Sequence, residues 1–238
     1  MVAFAAGPNG VRLLRDVIPE PIFEAIQKHL RTVGDIAHTA WPAANAEEDT
    51  LTGDFCGRLR TEPQRIRING GEQWEWSIRY KKFRGRGKDA FESTRGADGI
   101  IAIEASANGE KFYKGLLFQA KKGKLRVDAE TTEQVRKMEN LAHGGSALFE
   151  YREDGYSAVP GNVFLESGPD RRILIQENEH PLGSFLGDEF LPCSRGLRGM
   201  YYDAVRELLL VPIIGTNDVH AMPVELHHRL RIDVERLR

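Results

Sequence analysis

The strongest local signal in this chain is the dipeptide Asn108-Gly109, which separates two runs of residues that favour β-strands, IIAIEASA (100–107) and EKFYKGLLFQ (110–119). Asn-Gly is typical of a two-residue type I′ turn, because both central positions of that turn need a positive φ angle. The sequence therefore predicts an antiparallel β-hairpin in the middle of the chain.

The hairpin also predicts which residues face each other. If Ala107 pairs with Glu110, then Asp98 lies opposite Gln119, and Lys121 falls on the same face, diagonal to Asp98. Asp98 offers a carboxylate and Gln119 a carbonyl oxygen, which are the kinds of ligand that Mg²⁺ prefers. Lys121 can stabilise the charge on an attacked phosphate or orient the attacking water. The three side chains predict a metal site for phosphate chemistry at this end of the sheet.

A fourth candidate lies on a helix that we expect within residues 43–60. Apolar residues recur there at helical spacing, namely Leu51, Phe55 and Leu59. Glu48 lies within about 20° of the centre of this stripe, and a carboxylate directed at an apolar interior is costly unless a cation or hydrogen bonds compensate it. Glu48 is therefore a candidate ligand beside Asp98. The alternative is that Glu48 interacts with the helix dipole at the edge of the stripe. Its neighbours Glu47 and Asp49 are expected to be solvated.

Periodicity and capping signals predict the other elements. We expect a helix with Pro21 in its first turn, a strand over 73–79, an exposed basic loop after it, a helix from Thr131 or Thr132 to His143, a strand over 146–151, and short helices within 180–193 and over 201–210. A strand, a helix and a further strand in this order suggest a right-handed crossover between parallel neighbours. Alternation favours a strand for residues 224–237, with a helix as the alternative.

The order of these features resembles the core of the PD-(D/E)XK nucleases. In that superfamily a helix carries an acid, strands follow, and a hairpin that starts at an Asp ends in a (D/E/Q)xK motif before a helix and a strand. The matching residues are Glu48, Asp98 in RGADGIIAIE, and Gln119-Ala120-Lys121 in GLLFQAKK. The QxK form is similar to the Mrr-like restriction-endonuclease branch. Ala97 stands where the proline of the family's name is found, and Gln119 replaces the acid.

The resemblance implies an α/β fold with a restriction-endonuclease-like mixed β-sheet flanked by helices. An αβββαβ core would span about 45–152 of a single domain, 1–238, with extra C-terminal helices and a strand after about 160. It also implies a Mg²⁺-dependent DNA endonuclease, with Mn²⁺ as a possible substitute, in which Asp98, Gln119 and Glu48 hold the metal and Lys121 is the catalytic lysine. A restriction or anti-phage defence effector is the expected role.

Two other functions are compatible with the same core. The protein can be a catalytically inactive DNA-binding or scaffold protein that retains the nuclease fold, with Gln119 as the sign of lost activity. RNA or tRNA-repair chemistry on this core is the other possibility. Double-strand cleavage usually needs two sites, so we expect a homo-oligomer or a regulatory partner protein.

Composition is that of an ordinary globular protein. The chain has 238 residues, 41% of them hydrophobic, and its Gly and Pro residues carry no period, which excludes disordered and collagen-like classes. No apolar run approaches the roughly 20 residues of a membrane span, and the N-terminus lacks the basic region of a signal peptide. We therefore expect a cytoplasmic protein without a membrane partner. The distant Cys56 and Cys193 argue against a disulfide framework and a structural zinc site.

The net charge of −2 hides a strongly divided chain. Residues 79–88 and 111–126 each carry six positive charges and no acid, so the remaining residues carry a net charge of −14. These basic segments flank the predicted metal site, as expected of a face that follows a phosphate backbone. The residues expected to bind DNA are Lys81, Lys82, Arg84, Arg86, Lys122 and Lys124.

Several conspicuous residues have simpler interpretations. Trp74 and Trp76 are expected to be buried rather than stacked on bases, and Lys114 to be solvated or in contact with phosphate. Glu104 is expected to form a salt bridge at the rim of the sheet and His228 to be a lone surface histidine. Gln134 is a candidate for supporting the site from its helix.

Overall fold

The predicted hairpin is present in the computed structural model as strands β3 (Gly99–Ala107) and β4 (Glu110–Lys122). Its turn residues Asn108 and Gly109 have φ angles of 52° and 81°, as a type I′ turn requires. Ala107 pairs with Glu110, and the same register continues to the far end of the hairpin, where Gly99 pairs with Phe118. The register predicted from the Asn-Gly turn is confirmed.

The structure describes residues 13–41, 47–68, 70–83, 96–125, 127–167, 178–213, 215–216, 218–223 and 226–237. Its α-helices are α1 (Glu20–Asp35), α2 (Glu48–Leu59), α3 (Ala129–Leu141), α4 (Gly161–Glu166) and α5 (Leu182–Ser184), and α5 continues as a π-helix over Phe185–Phe190. Short 3-10 helices cover Leu14–Asp16 and Ala37–Ala40. The other strands are β1 (Gln64–Arg67), β2 (Gln73–Lys82), β5 (Ser146–Arg152), β6 (Gly155–Pro160), β7 (His180–Pro181), β8 (Leu197–Arg198), β9 (Tyr201–Asp203), β10 (Leu208–Pro212), β11 (Val219–Pro223) and β12 (His228–Arg236).

A mixed sheet forms the centre of the described part of the chain. Its strands follow the order β1-β2-β12-β3-β4-β5-β6-β7, and β8 pairs with β4. Strand β12 is parallel to β3 and β4 is parallel to β5, whereas β2 is antiparallel to β12 and β3 to β4. Helix α3 connects β4 to β5, so the predicted crossover between parallel strands is confirmed. A smaller sheet has the order β11-β10-β9.

Helices pack on both faces of the main sheet, because successive strand residues point to opposite faces and both sets are apolar. On one face Phe118 of β4 packs in a core with Phe23 of α1 and Phe55 of α2. On the other face Leu117 packs with Val135 of α3. The predicted apolar stripe of α2 is fully buried, and so are the apolar residues that recur at helical spacing on α1, namely Ile22, Phe23, Ile26 and Leu30. The molecule is thus a mixed α/β structure with helices on either side of its sheet.

The last strand lies inside the sheet rather than at its periphery. Strand β12 pairs with β2 on one side and with β3 on the other. Leu230, Ile232 and Val234 are buried on one face of it, as the alternation in the sequence predicts. The C-terminal residues, which sequence analysis assigns to an extension after about 160, therefore complete the centre of the sheet.

The prediction of a helix over 201–210 is wrong. Strands β9 and β10 occupy this segment and form an antiparallel hairpin. The Asp203 carboxylate accepts hydrogen bonds from the backbone N–H groups of Val205 and Arg206, and Glu207 has a positive φ of 54°. This local turn competes with a helix because a short polar side chain bonds the backbone directly. Within 180–193, by contrast, α5 and the π-helix confirm the predicted helix.

Helix length also bears on the membrane prediction. Among the described residues, no helix combines the length and the apolar character needed to cross a bilayer.

Candidate functional site

One strand of the sheet continues past the start of its neighbour. Strand β3 begins at Gly99, opposite Phe118 of β4, and β12 begins at the same level, since His228 pairs with Gly99. The last residues of β4, from Gln119 to Lys122, therefore extend beyond both of these strands. The predicted Gln119-Ala120-Lys121 motif lies on this extension.

Two carboxylates bind the edge of this extension. The Ala120 N–H donates to Oδ2 of Asp98 at 2.7 Å, and the Lys122 N–H donates to Oε2 of Glu48 at 2.7 Å. Alternate residues of a strand present their N–H groups on the same side, about 7 Å apart. Asp98 enters from the start of β3 and Glu48 from the first turn of α2. The structure thus brings the predicted pair of acids to one strand edge.

A backbone oxygen lies between the two acids. The N–H and C=O groups of one strand residue point to the same side, so the Ala120 carbonyl falls between the N–H groups that Asp98 and Glu48 accept from. The Gln119 side-chain amide donates to this carbonyl oxygen at 3.4 Å. Side-chain motifs gave no sign of this oxygen, and only the hairpin register could have located it.

Gln119 has an unsatisfied oxygen. The side chain is completely buried, and within the described residues its Oε1 has no hydrogen-bond donor. Leaving a buried acceptor unpaired typically costs about 1–3 kcal/mol. Gln134 on α3 is 9% exposed, and its Oε1 is also without a donor among the described residues. A bound cation would satisfy such an oxygen, so the Gln119 carbonyl suits the predicted role.

Lys121 follows Ala120 and lies between the two backbone donors of the edge. It shares a face of β4 with Gln119, opposite to the face that α2 covers. The side chain is partly exposed, and its strand partner is Glu150 of β5. The motif therefore places a lysine beside the two acids, on the side of the sheet where Gln119 projects.

A hydrogen-bond network adjoins the acids and corrects the prediction for His228. His228 is 1% exposed rather than on the surface. Its Nε2 lies 2.9 Å from Oδ1 of Asp49, and its Nδ1 lies 2.8 Å from the Tyr80 hydroxyl. Asp49 is exposed, as predicted, and also forms an ion pair with Lys82. Sequence reasoning missed this network because its members come from α2, β2 and β12 and carry no shared motif.

Burial and neighbouring charges set the protonation of this network. Burial lowers the pKa of the His228 imidazole to about 4, although Asp49 acts to raise it. Partial burial acts to raise the pKa of Asp49, but the hydrogen bond and charge of Lys82 and the charge of His228 bring it below its usual value. Near neutral pH the network therefore holds a neutral imidazole beside an ionised carboxylate.

Basic residues surround this end of the sheet. Lys82, near the end of β2, pairs with His228 and so lies level with the start of β3. Lys81, Lys122 and Lys124 are exposed, and the Lys122 ammonium lies 5.6 Å from the centre of the Trp41 ring. The predicted DNA-binding residues Arg84 and Arg86 lie outside the described residues.

The donor set is poor in acids for a metal site. In the described ranges, no three His, Cys, Asp or Glu side chains gather where they could hold an ion. Two carboxylates with the neutral oxygens of Ala120 and Gln119 would still give four oxygen donors. A hard cation such as Mg²⁺ prefers oxygen ligands and usually keeps several waters, so the residues present fit it.

Comparison with known proteins shows a similarity to a tRNA ligase. The chain is 28% identical over 171 residues to a serine–tRNA ligase of Methylobacterium nodulans, and the alignment covers 63% of this chain. It covers 39% of that ligase, so the chain spans well under half of its relative's length. No protein-family model matches the chain. No solved structure matches it either.

Proposed function

We propose that this protein is a Mg²⁺-dependent DNA endonuclease with a PD-(D/E)XK-type core. The observation that carries the proposal is the pair of acids, Asp98 and Glu48, bound to alternate N–H groups of β4 with the Ala120 carbonyl between them. The order of α2, the β3–β4 hairpin, α3 and β5 also supports a nuclease core. Strand β12 is an addition to the expected αβββαβ order, because it lies between β2 and β3.

Four groups would hold the metal. Asp98 and Glu48 provide two negative charges against a divalent cation, and the Ala120 carbonyl and Gln119 Oε1 provide neutral oxygens. When bound, Mg²⁺ or Mn²⁺ supplies Lewis-acid stabilisation of the charge that develops on the phosphate. The Lys121 ammonium, on β4 with Gln119 and Ala120, stabilises that charge or orients the attacking water.

Substrate binding falls to the basic residues at the same end of the sheet. Lys81, Lys122 and Lys124 are exposed there and contact the phosphate backbone. Lys82 contributes less, because Asp49 already neutralises it. We further propose that the protein is a cytoplasmic restriction or anti-phage effector, and that it acts as a homo-oligomer or with a regulatory partner.

The first test compares two site variants with a control lysine. Asp98→Asn keeps an oxygen acceptor for the Ala120 N–H but removes a charge, and Lys121→Ala removes the ammonium. Both are expected to lower the rate of Mg²⁺-dependent plasmid cleavage by about 10²–10³-fold. Lys111→Ala, at the other end of β4 on the same face, should cleave at the wild-type rate. Cleavage should stop with EDTA. Robust cleavage by both site variants, with unchanged melting temperatures, would reject the assignment.

A second candidate is an inactive DNA-binding or scaffold protein. The amide at Gln119 and the absence of a three-acid cluster among the described residues favour it. Titration with Mn²⁺ separates the two, because an inert protein should show no binding that Asp98→Asn abolishes. The likeness to a tRNA ligase gives a reason to test RNA as well. Parallel digestion of plasmid, single-stranded DNA and tRNA would identify the substrate class.

A further inference from the structure

His228 contacts both elements that carry the candidate acids. Its backbone N–H donates to the carbonyl oxygen of Asp98 at 3.1 Å. Its side chain bonds Asp49 through Nε2 at 2.9 Å, one residue after Glu48. One residue at the start of β12 thus links the start of β3 to the first turn of α2.

The imidazole is held in a single orientation. A carboxylate only accepts hydrogen bonds, so Nε2 carries the proton that Asp49 accepts, and Nδ1 accepts from the Tyr80 hydroxyl. The Tyr80 ring lies nearly parallel to the imidazole, with 12° between their planes and 6.0 Å between their centres. The His228 imidazole is almost completely buried, so it has little room to turn. His228 is therefore a rigid support for Asp49.

The first turn of α2 depends on this support. Glu47, at the N-cap position, makes no side-chain capping bond within the described residues. Asp49 bonds His228 of β12 and Lys82 of β2, and this fixes the turn against the sheet. A helix rotates by about 100° and rises by 1.5 Å per residue, so a small change in this turn would move the Glu48 carboxylate away from the Lys122 N–H.

We propose that His228 is a positioning residue, which holds Glu48 and Asp98 at the spacing needed to bind one divalent cation. The inference rests on the proposed nuclease site. Groups that orient metal ligands commonly change metal affinity or activity by about 10–100-fold when they are replaced. His228 itself donates no atom to the cation, because both of its ring nitrogens are engaged.

The test measures binding of Mn²⁺ alone by calorimetry, with His228→Leu and His228→Gln. Leucine fills the buried space but cannot donate to Asp49, whereas glutamine carries an N–H at a similar distance from the backbone. We expect His228→Leu to raise the Mn²⁺ dissociation constant at least about tenfold and His228→Gln to stay within about threefold of wild type. Saturating Mn²⁺ should restore most of the cleavage rate of the leucine variant.

Arg229→Gln is the matched control, because Arg229 is the next residue of β12, is 6% exposed and pairs with Glu104 instead. It should leave Mn²⁺ affinity unchanged. Equal affinity of wild type and His228→Leu would overturn the inference, as would equal losses in the leucine and glutamine variants. If the leucine variant does not fold, Tyr80→Phe decides, since weaker Mn²⁺ binding supports the inference and unchanged binding rejects it. A wild type that binds no Mn²⁺ rejects the proposed function instead.

Discussion

At the scale of single residues, Lys114 shows how burial controls a charge. It is completely buried, beneath the π-helix, where its ammonium donates to the Phe190 carbonyl. Its ammonium also lies 4.3 Å from the centre of the Phe190 ring. Burial lowers the pKa of Lys114 to about 8, although Cys193 acts to raise it. The sequence interpretation of Lys114 as a solvated or phosphate-binding residue is therefore wrong.

This pKa predicts a pH dependence of stability. Between pH 8 and 10.5 the folded protein loses the Lys114 proton while the unfolded chain keeps it, so the unfolded state binds more protons and stability rises with pH. Relative to Lys114→Met, the wild type should gain on the order of 1–3 kcal/mol across this window. Urea unfolding at a series of pH values measures the difference. Parallel profiles for the two proteins would contradict it.

Predictability differs from residue to residue for physical reasons. Asp98 and Gln119 could be placed because a two-residue turn fixes the register of a hairpin, which is a local property. Glu48 could be placed because helical periodicity gives a direction. The burial of Lys114 could also have been predicted from the sequence, since Lys114 lies between Phe112 and Leu116 on the same face of β4, and that face is buried. The bond between His228 and Asp49 had none, because contacts between distant segments depend on the whole fold.

At the scale of elements, β12 should be the strand on which the sheet depends most. It bonds β2 and β3 at once, and its apolar face is buried. Ile232→Ala should lower the free energy of unfolding by about 2–5 kcal/mol, the usual cost of truncating a buried side chain. Glu235→Ala, at an exposed position of the same strand, should change it by less than about 0.5 kcal/mol. Chemical denaturation measures both, and equal effects would show that β12 is peripheral.

The same strand shows what an element's sequence leaves open. The alternation of apolar and polar residues predicted a strand for residues 224–237. The sequence of a strand does not, however, identify the strands with which it pairs. Strand β3, its parallel partner, precedes β12 by more than a hundred residues, so the pairing depends on tertiary contacts. The incorrect prediction of a helix over 201–210 has a different cause. The turn at Asp203 is a local structure that competes with a helix, and the spacing of apolar residues does not reveal it.

At the scale of the whole molecule, the division of charge should control nucleic-acid binding. A net charge of −2 alone would disfavour a polyanion. Lys122 and Lys124 are nevertheless exposed beside the candidate site, and charges close to a phosphate act over about a Debye length, roughly 8–10 Å. Attraction to DNA is therefore expected at this end of the sheet and not over the remaining acidic surface.

Salt dependence tests this distribution of charge. Each phosphate contact contributes about −0.9 to the slope of log affinity against log salt concentration, because bound counterions are released. In fluorescence anisotropy with duplex DNA, the double variant Lys122→Ala/Lys124→Ala should therefore have a slope shallower by about 2. Lys111→Ala removes an exposed lysine at the opposite end of β4 and should keep the wild-type slope. If all three proteins have the same slope, DNA does not bind beside the two acids, and the basic segments have another role.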